Sequence, residues 1–291
     1  MKRIVVLGSA VLDHRVWVDQ WPPPRGRTRA LDYVEDLGGP AAVAAATIAR
    51  LGGSAALLAL VGGDSAGARV AAMLRAHGVD TRDVIARPGA KTPASSITIV
   101  PGGERFIVAY PGEGLSDEPG WASVDALDGA EAVVLDSRMP RTASAFAAAA
   151  RARHLPVVVD FDVDAPDVWR LARLATHAIA DEDLAHRAGG PEALLGRLRA
   201  EGVWGAVTLG PGGAVFEGGR AAAFPIAARD TTGAGDVFHG AFALALVAGQ
   251  RESEALMFAS AAAAVRCETG HLPDRRAAEA LLAARHAARD S

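Results

Sequence analysis

Lysine is nearly missing from this chain: Lys2 and Lys91 stand alone against a large excess of arginine. A Walker A loop needs Gly-Lys-Ser/Thr to reach nucleotide phosphates, and here the lysines follow Met1 and Ala90, so a P-loop is excluded. Cysteine is limited to Cys267, which rules out an intrachain disulfide, removes any need for an oxidising compartment, and itself reads as a small buried hydrophobe. The histidines are scattered, without His-Glu-x-x-His or clustered Cys/His spacing, which argues against a structural zinc site. Long apolar runs are absent as well, and none approaches the length of a membrane span. The apolar stretch from Ile4 to Leu12 runs straight into Asp13-His14-Arg15 with no small-residue cleavage site. It reads as a buried first strand rather than a secretion signal, and the expected location is cytoplasmic. A formal net charge of -4 and a pI near 6.1 give no broad electropositive field, which argues against a nucleic-acid partner.

What is present points to an enzyme-sized α/β core. The 291 residues are 50% hydrophobic, enough for one large core with a small insertion. Short apolar runs bounded by Gly or Pro alternate with alanine-rich segments of helical length, the pattern of a mostly parallel sheet with helices on its faces. Strands are expected at 4–7, 55–61, 132–135, 156–160, 176–180 and 203–209. Helices are expected near 40–52, 65–77, 141–153, 191–201, 234–248, 252–267 and 274–288, several of them stopping at Gly52, Gly78, Gly202 and Gly249. Residues 13–36 and 92–109 break the alternation and read as antiparallel β-structure around Pro22-Pro23-Pro24 and Pro101-Gly102-Gly103. They are expected to form a β lid over the C-terminal edge of the main sheet, where open α/β sheets bind ligands. The core then comprises 1–12, 37–91 and 110–291.

The segment richest in chemistry is Asp230-Thr231-Thr232-Gly233-Ala234-Gly235-Asp236-Val237-Phe238, followed by an alanine-rich apolar stretch. Gly233 and Gly235 let the backbone turn sharply and bring successive N–H groups, including that of Ala234, close to a ligand. The helix beginning there adds its unpaired donors and the positive end of its dipole, which together make an anion hole. Phosphoryl transfer asks a protein mainly to position reactants and stabilise charge on the phosphoryl oxygens. A carboxylate beside the hole, Asp236, is placed to accept the proton of an attacking hydroxyl. On spacing alone, a plain helix N-terminus with an acidic first turn remains a second reading.

The nine-residue string resembles the C-terminal signature of the ribokinase-like PfkB carbohydrate kinases without a mismatch, and further blocks follow the family's order. Gly8 to Asp13 is similar to a first strand ending in a sugar-binding aspartate, Asp13. Gly38-Gly39-Pro40-Ala41-Ala42 resembles the N-terminal signature whose diglycine approaches the sugar. Val61 to Gly67 is similar to the next block, and Thr208-Leu209-Gly210-Pro211-Gly212-Gly213 resembles the nucleotide-binding strand and turn. The resemblance implies a three-layer αβα sandwich with a small β-sheet lid, MgATP as phosphoryl donor and a sugar hydroxyl as acceptor. It implies nucleotide contacts at Thr208, Gly210, Gly213, Thr232, Gly233 and Gly235, and in some members a monovalent cation near Asp230.

Departures bear on the acceptor. Val43 stands where many members carry an asparagine, which disfavours ribose. The family's Asn-x-x-Glu block falls at Ala180-Asp181-Glu182-Asp183, leaving Glu182 or Asp183 to order a magnesium-bound water or merely to favour a helix start. Within the family the pattern is most similar to sulfofructose kinases of bacterial sulfosugar breakdown, through Tyr110-Pro111, His239-Gly240 and Phe258-Ala259-Ser260. Arg27 in the lid and Arg138 fall where those enzymes place cations, although Ala109 replaces an asparagine, and a guanidinium suits a sulfonate or phosphate. Arg138 is shared with ketohexokinases, and either arginine also reads as a solvated surface residue. The expected reaction is phosphorylation of a primary hydroxyl of a ketohexose-type anionic sugar such as 6-deoxy-6-sulfofructose. The alternatives are another kinase of the family, for ketohexoses, fructose phosphates or nucleosides, and an inactive sugar sensor. His239 reads as a packing or hydrogen-bonding residue, and the lid as a candidate homodimer contact.

Overall fold

The computed structural model describes residues 1–23 and 25–287. Alternation of apolar runs with alanine-rich segments produces strands β1 (Arg3–Leu7), β2 (Val11–Trp17), β3 (Asp32–Gly38), β4 (Ser54–Gly62), β5 (Val84–Arg87), β6 (Ala94–Ile99), β7 (Arg105–Tyr110), β8 (Ala132–Leu135), β9 (Val157–Phe161), β10 (His177–Asp181), β11 (Trp204–Thr208), β12 (Ala214–Phe216) and β13 (Gly219–Ala221). The helices are α1 (Pro40–Arg50), α2 (Ser65–Ala76), α3 (Pro140–Ala152), α4 (Pro166–Ala172), α5 (Glu182–Arg187), α6 (Pro191–Ala200), α7 (Ala234–Val247), α8 (Glu252–Thr269) and α9 (Arg275–Ala287). Residue 288 of the expected last helix lies outside the described residues.

The main sheet runs β13-β12-β11-β10-β9-β8-β1-β4-β5, parallel except for the β11-β12-β13 meander. Its two faces bury separate layers. Ile4, Val6, Val134, Val158 and Ile179 pack with α1, α7 and α8, whereas Val5, Leu7, Leu135, Val159 and Ala180 pack with α3, α4 and α6. The strands therefore read as continuous apolar runs, as expected for sheets covered on both sides. Close approach of α7 to α1 depends on Gly240: a Cβ there would stand 2.5 Å from the Ala44 carbonyl oxygen. In the second sequence block Asp64 caps α2 through the Gly67 amide (2.8 Å) and holds the Thr92 amide (2.9 Å) at the entry to β6. That block is a structural clasp.

The three-layer α/β architecture and the smaller second sheet match the expectation. The second sheet, β3-β2-β6-β7, corrects it in one respect: β2 pairs with β6 in parallel, and only the outer pairs are antiparallel. β2 follows β1 and β6 follows the β4-α2-β5 crossover, so both leave the main sheet by the same edge and run in the same direction. Helices α4 and α5, with 7 and 6 residues, are too short to show a helical period, β5 and β13 are short edge strands, and β12 beside β13 has only 3 residues. No helix among the described residues is long and apolar enough to cross a membrane.

Candidate active site

Strand alternation brings acids together at the C-terminal edge of the sheet. Val134, Val158 and Ile179 face α7, so two residues further on Asp136, Asp160 and Asp181 project to the same side. Asp236, in the first turn of α7, meets them there. Burial is the main force pushing the Asp236 carboxyl up to about 7; the negative charge of Asp160 adds to it and His239 opposes it. Asp160 itself is raised well above the ordinary range by burial and then by Asp162 and Asp136. His239 is buried, its Nε2 lying 3.4 Å from the Ile179 carbonyl and 3.6 Å from Asp160. Burial lowers its pKa, against the charge of Asp236, which favours the protonated ring.

Asp136 is fully engaged despite a pKa raised by burial. It accepts from the Ser9 amide (2.7 Å), the Ser9 hydroxyl (2.9 Å), the Ala41 amide (3.3 Å) and the Arg138 amide (3.0 Å). It thereby ties the end of β1 to the start of α1, and Gly8 is obligatory there because a Cβ would collide with the Asp136 carboxylate.

The turn before α7 is shaped by Asp230, whose Oδ1 accepts the Thr232 amide at 2.8 Å, and by Gly233 in the left-handed region at φ 73°. Among the described residues the main-chain N–H groups of Gly233 and Gly235 donate to nothing, while that of Ala234 leans back on the Thr231 carbonyl at 3.3 Å. The Asp236 carboxylate lies beside these donors, its Oδ2 3.6 Å from where a Gly233 Cβ would be. Free amides and a carboxylate with an elevated pKa therefore share one opening. The Thr232 hydroxyl is buried there without a partner.

On the lid side Asp13 is buried, and burial raises its carboxyl to about 6 against a hydrogen bond from Ser95. It lies flush on Gly38, where a Cβ would collide with it, and Gly39 abuts the Ser9 backbone. Arg138 pairs with Asp162; burial works against its charge, but Asp162, Asp136, Asp160 and Asp236 together hold it above the usual range. These residues converge. Arg27 does not join them: it lies in the exposed loop between β2 and β3.

On the far side Thr208 ends β11 beside Asp181, and Gly213 takes φ 85° where a Cβ would strike the Ala221 carbonyl. Gly210 turns in the open at φ 51°. Glu182 and Asp183 are exposed in the first turn of α5, whereas Asp181 caps that helix through the Leu184 amide at 2.7 Å. Sequence reasoning missed Asp160, Asp162 and Asp181. A signal for two of them was present, since Val157-Val158-Val159-Asp160 and Ala178-Ile179-Ala180-Asp181 repeat the pattern of an apolar strand closed by an acid.

The expected monovalent cation near Asp230 does not fit. Asp230 is fully buried, and its Oδ2 already holds the Arg15 guanidinium at 2.6 Å. The neighbouring Thr232 and Gly270 carbonyls are taken by Arg266 at 2.9 and 2.6 Å. The oxygens that would ligate such an ion are already paired with guanidiniums.

Comparison with known proteins converges on the same chemistry. The pattern of the pfkB family carbohydrate kinases matches residues 1–272. The chain is 28% identical to the ribokinase of Bacillus subtilis, covering 97% of this chain and 100% of that one. It is 27% identical to the ribokinase of Haemophilus influenzae, covering 91% and 92%. A crystal structure provisionally assigned as a ribokinase, from Agrobacterium tumefaciens, superposes with a TM-score of 0.90 at 32% identity over 97% of both chains. The Arabidopsis thaliana ribokinase complexed with ribose and ATP does so with a TM-score of 0.82 at 26% identity, covering 97% of this chain and 98% of that one. The chain belongs to the PfkB family of carbohydrate kinases and is an ATP-dependent sugar kinase with the ribokinase-like fold.

Proposed function

We propose that this kinase transfers the γ-phosphoryl group of MgATP to a primary hydroxyl of an anionic ketohexose-type sugar, 6-deoxy-6-sulfofructose being the leading candidate. One observation carries the mechanism: unpartnered amides at Gly233 and Gly235 open beside an Asp236 carboxyl whose pKa is pushed up to about 7. Near neutral pH such a carboxylate is basic enough to take a hydroxyl proton, with about half of the molecules holding it ionised and ready. The adjacent amides, with the α7 dipole behind them, receive the charge of the migrating phosphoryl group. Ala234 contributes by shaping the turn.

The nucleotide lies along Thr208, Gly210, Gly213 and Thr232, with its phosphates toward Gly233. Magnesium bound with it neutralises charge on the phosphate oxygens. Glu182 and Asp183, both exposed at the head of α5, would hold that ion through water. The sugar lies under the lid, with Asp13, Gly38 and Gly39 against its hydroxyl groups and Arg138 facing its anionic end. Arg27 would reach a sulfonate or phosphate only if the β2-β3 loop folds inward. Ribose is the second reading, favoured by the ribokinase names of the relatives. Against it, Val43 is buried and apolar, and its Cγ1 lies 3.6 Å from where a Gly233 Cβ would be.

A coupled ADP-release assay over sulfofructose, fructose, fructose 6-phosphate, ribose and a nucleoside decides between them. The anionic ketohexose is expected to give the highest kcat/KM. A preference for ribose overturns the acceptor assignment, and silence with every acceptor favours a sugar sensor. A homodimer and a cytoplasmic location complete the proposal. β7 exposes Phe106, Ile107, Val108 and Tyr110 in a row on the lid, an apolar edge that a second copy would cover. Light scattering at a monomer mass would remove the dimer.

A further inference from the structure

Two arginines far apart in sequence are almost wholly buried at one point behind the Gly233 turn: Arg15 on β2 and Arg266 on α8 are 2% and 3% exposed. Arg15 donates to Asp230 Oδ2 at 2.6 Å, to the Gly270 carbonyl at 3.2 Å and to Asp36. Arg266 donates from Nε to the Thr232 carbonyl at 2.9 Å and from Nη1 to the Gly270 carbonyl at 2.6 Å, with Asp36 Oδ2 at 3.8 Å. Gly270 is the C-cap of α8, where the helix dipole presents its negative end. A carboxylate, a helix C-terminus and a turn carbonyl thus build an electronegative pocket, and the chain fills it from its own side chains.

From this arrangement we infer that Arg15 and Arg266 act as built-in cations that fasten the anion-hole turn, so that the kinase needs no monovalent metal ion. The inference rests on the kinase reading above. The peptide between Thr232 and Gly233 is planar and trans, so its C=O and N–H point in opposite directions. Holding the Thr232 oxygen from behind aims the Gly233 N–H forward, into the opening shared with Asp236. Arg266 Nη2 lies 3.9 Å from where a Gly233 Cβ would be, close against the turn. Arg15 and Arg266 carry two positive charges against the carboxylates of Asp36 and Asp230, with Asp13 and Asp236 also within electrostatic reach, so the guanidiniums already supply the positive charge a metal ion would bring. Arg15 and Asp36 belong to lid strands β2 and β3, so the same cluster ties the sugar-covering sheet to the phosphoryl-holding turn. Arg266 is accordingly a positioning residue.

The experiment is ADP release with the accepted sugar in a buffer whose monovalent cation is tetramethylammonium, titrated with KCl or NaCl at constant ionic strength. Rates should change less than about twofold, and saturable activation of about fivefold or more by K+ or Na+ overturns the inference. Arg266→Ala should lower kcat by about tenfold or more with a smaller change in sugar KM, and added guanidinium or K+ should restore part of it. A folded Arg266→Ala enzyme with full kcat overturns the positioning role; if that variant does not fold, Arg266→Lys serves, with the same expected loss. Melting temperature is read in parallel. K+ should leave the wild-type transition in place, and a K+-specific rise there overturns the inference even if no acceptor is turned over. Absence of turnover with unchanged melting counts against the kinase reading alone.

Discussion

Two groups of buried charge flank the Gly233 turn, and they are built on opposite principles. In front of it Asp136, Asp160, Asp162, Asp181 and Asp236 crowd together with Arg138 as the cation facing them, and burial with mutual repulsion raises the pKa of Asp160 and Asp236. Behind it Asp36 and Asp230 are matched by Arg15 and Arg266. In the proposed mechanism the unmatched group keeps a carboxylate reactive at neutral pH, at a cost to stability, while the matched group holds the backbone still. A perturbed acid among like charges is a candidate for chemistry, whereas a paired one is a candidate for positioning.

The largest expected effect separates the two groups by activity. Asp236→Asn should lower kcat by about 10² to 10⁴ while leaving ATP binding intact, because it removes the base and keeps the shape. Turnover within a few-fold of wild type would place the base elsewhere among the acids. Next, Arg15→Met strands Asp230, a carboxylate with no exposed surface, and should cost about 3–5 kcal/mol of stability in urea unfolding. Adding Asp230→Asn should recover part of that loss. An unaltered midpoint in the single variant would mean the rear group contributes nothing to the fold.

Much of this contrast was legible in the chain. The sheet's helical cover follows from apolar period, and the turn motif with its proposed base Asp236 from the nine-residue string that resembles the family signature, because each is local. The acid group was not, because Asp136, Asp160 and Asp181 meet only if β8, β9 and β10 lie side by side with matching registers, and strand order is not written in any single segment. The rear group was still less legible: Arg15 and Asp230 are separated by 215 residues, and Arg15 reads as one more residue of a lid strand. The two guanidiniums inferred to stand in for a cation near Asp230 were hidden for the same reason, since they arrive from two remote elements.

A pH profile sharpens the comparison at intermediate magnitude. With the Asp236 carboxyl at about 7, kcat/KM should fall about tenfold per pH unit on the acid side of that value and level off above it. Stability should move the other way. The native state keeps this proton up to about pH 7 while the unfolded chain releases it near the ordinary value of 3.8, so the contribution is complete at low pH and is lost as pH rises through 7. Asp236→Asn should therefore raise the melting temperature at about pH 8 and do so less at about pH 5. A destabilised Asn variant at the higher pH would show that burial is not what raises this carboxyl.

The smallest effect tests whether pairing matters without burial. Lys91 and Glu113 form an ion pair at 2.9 Å between side chains 63% and 67% exposed, a closer match to solvent than either buried group. Water already solvates both charges, and salt screens what attraction remains, so holding the two chains together gains little over leaving them free. Lys91→Met should leave the melting temperature within measurement error at physiological salt and the sugar kinetics unchanged. A clear loss of stability from this change would mean that ion pairing itself, rather than pairing under burial, distinguishes the fastened turn from the reactive acids.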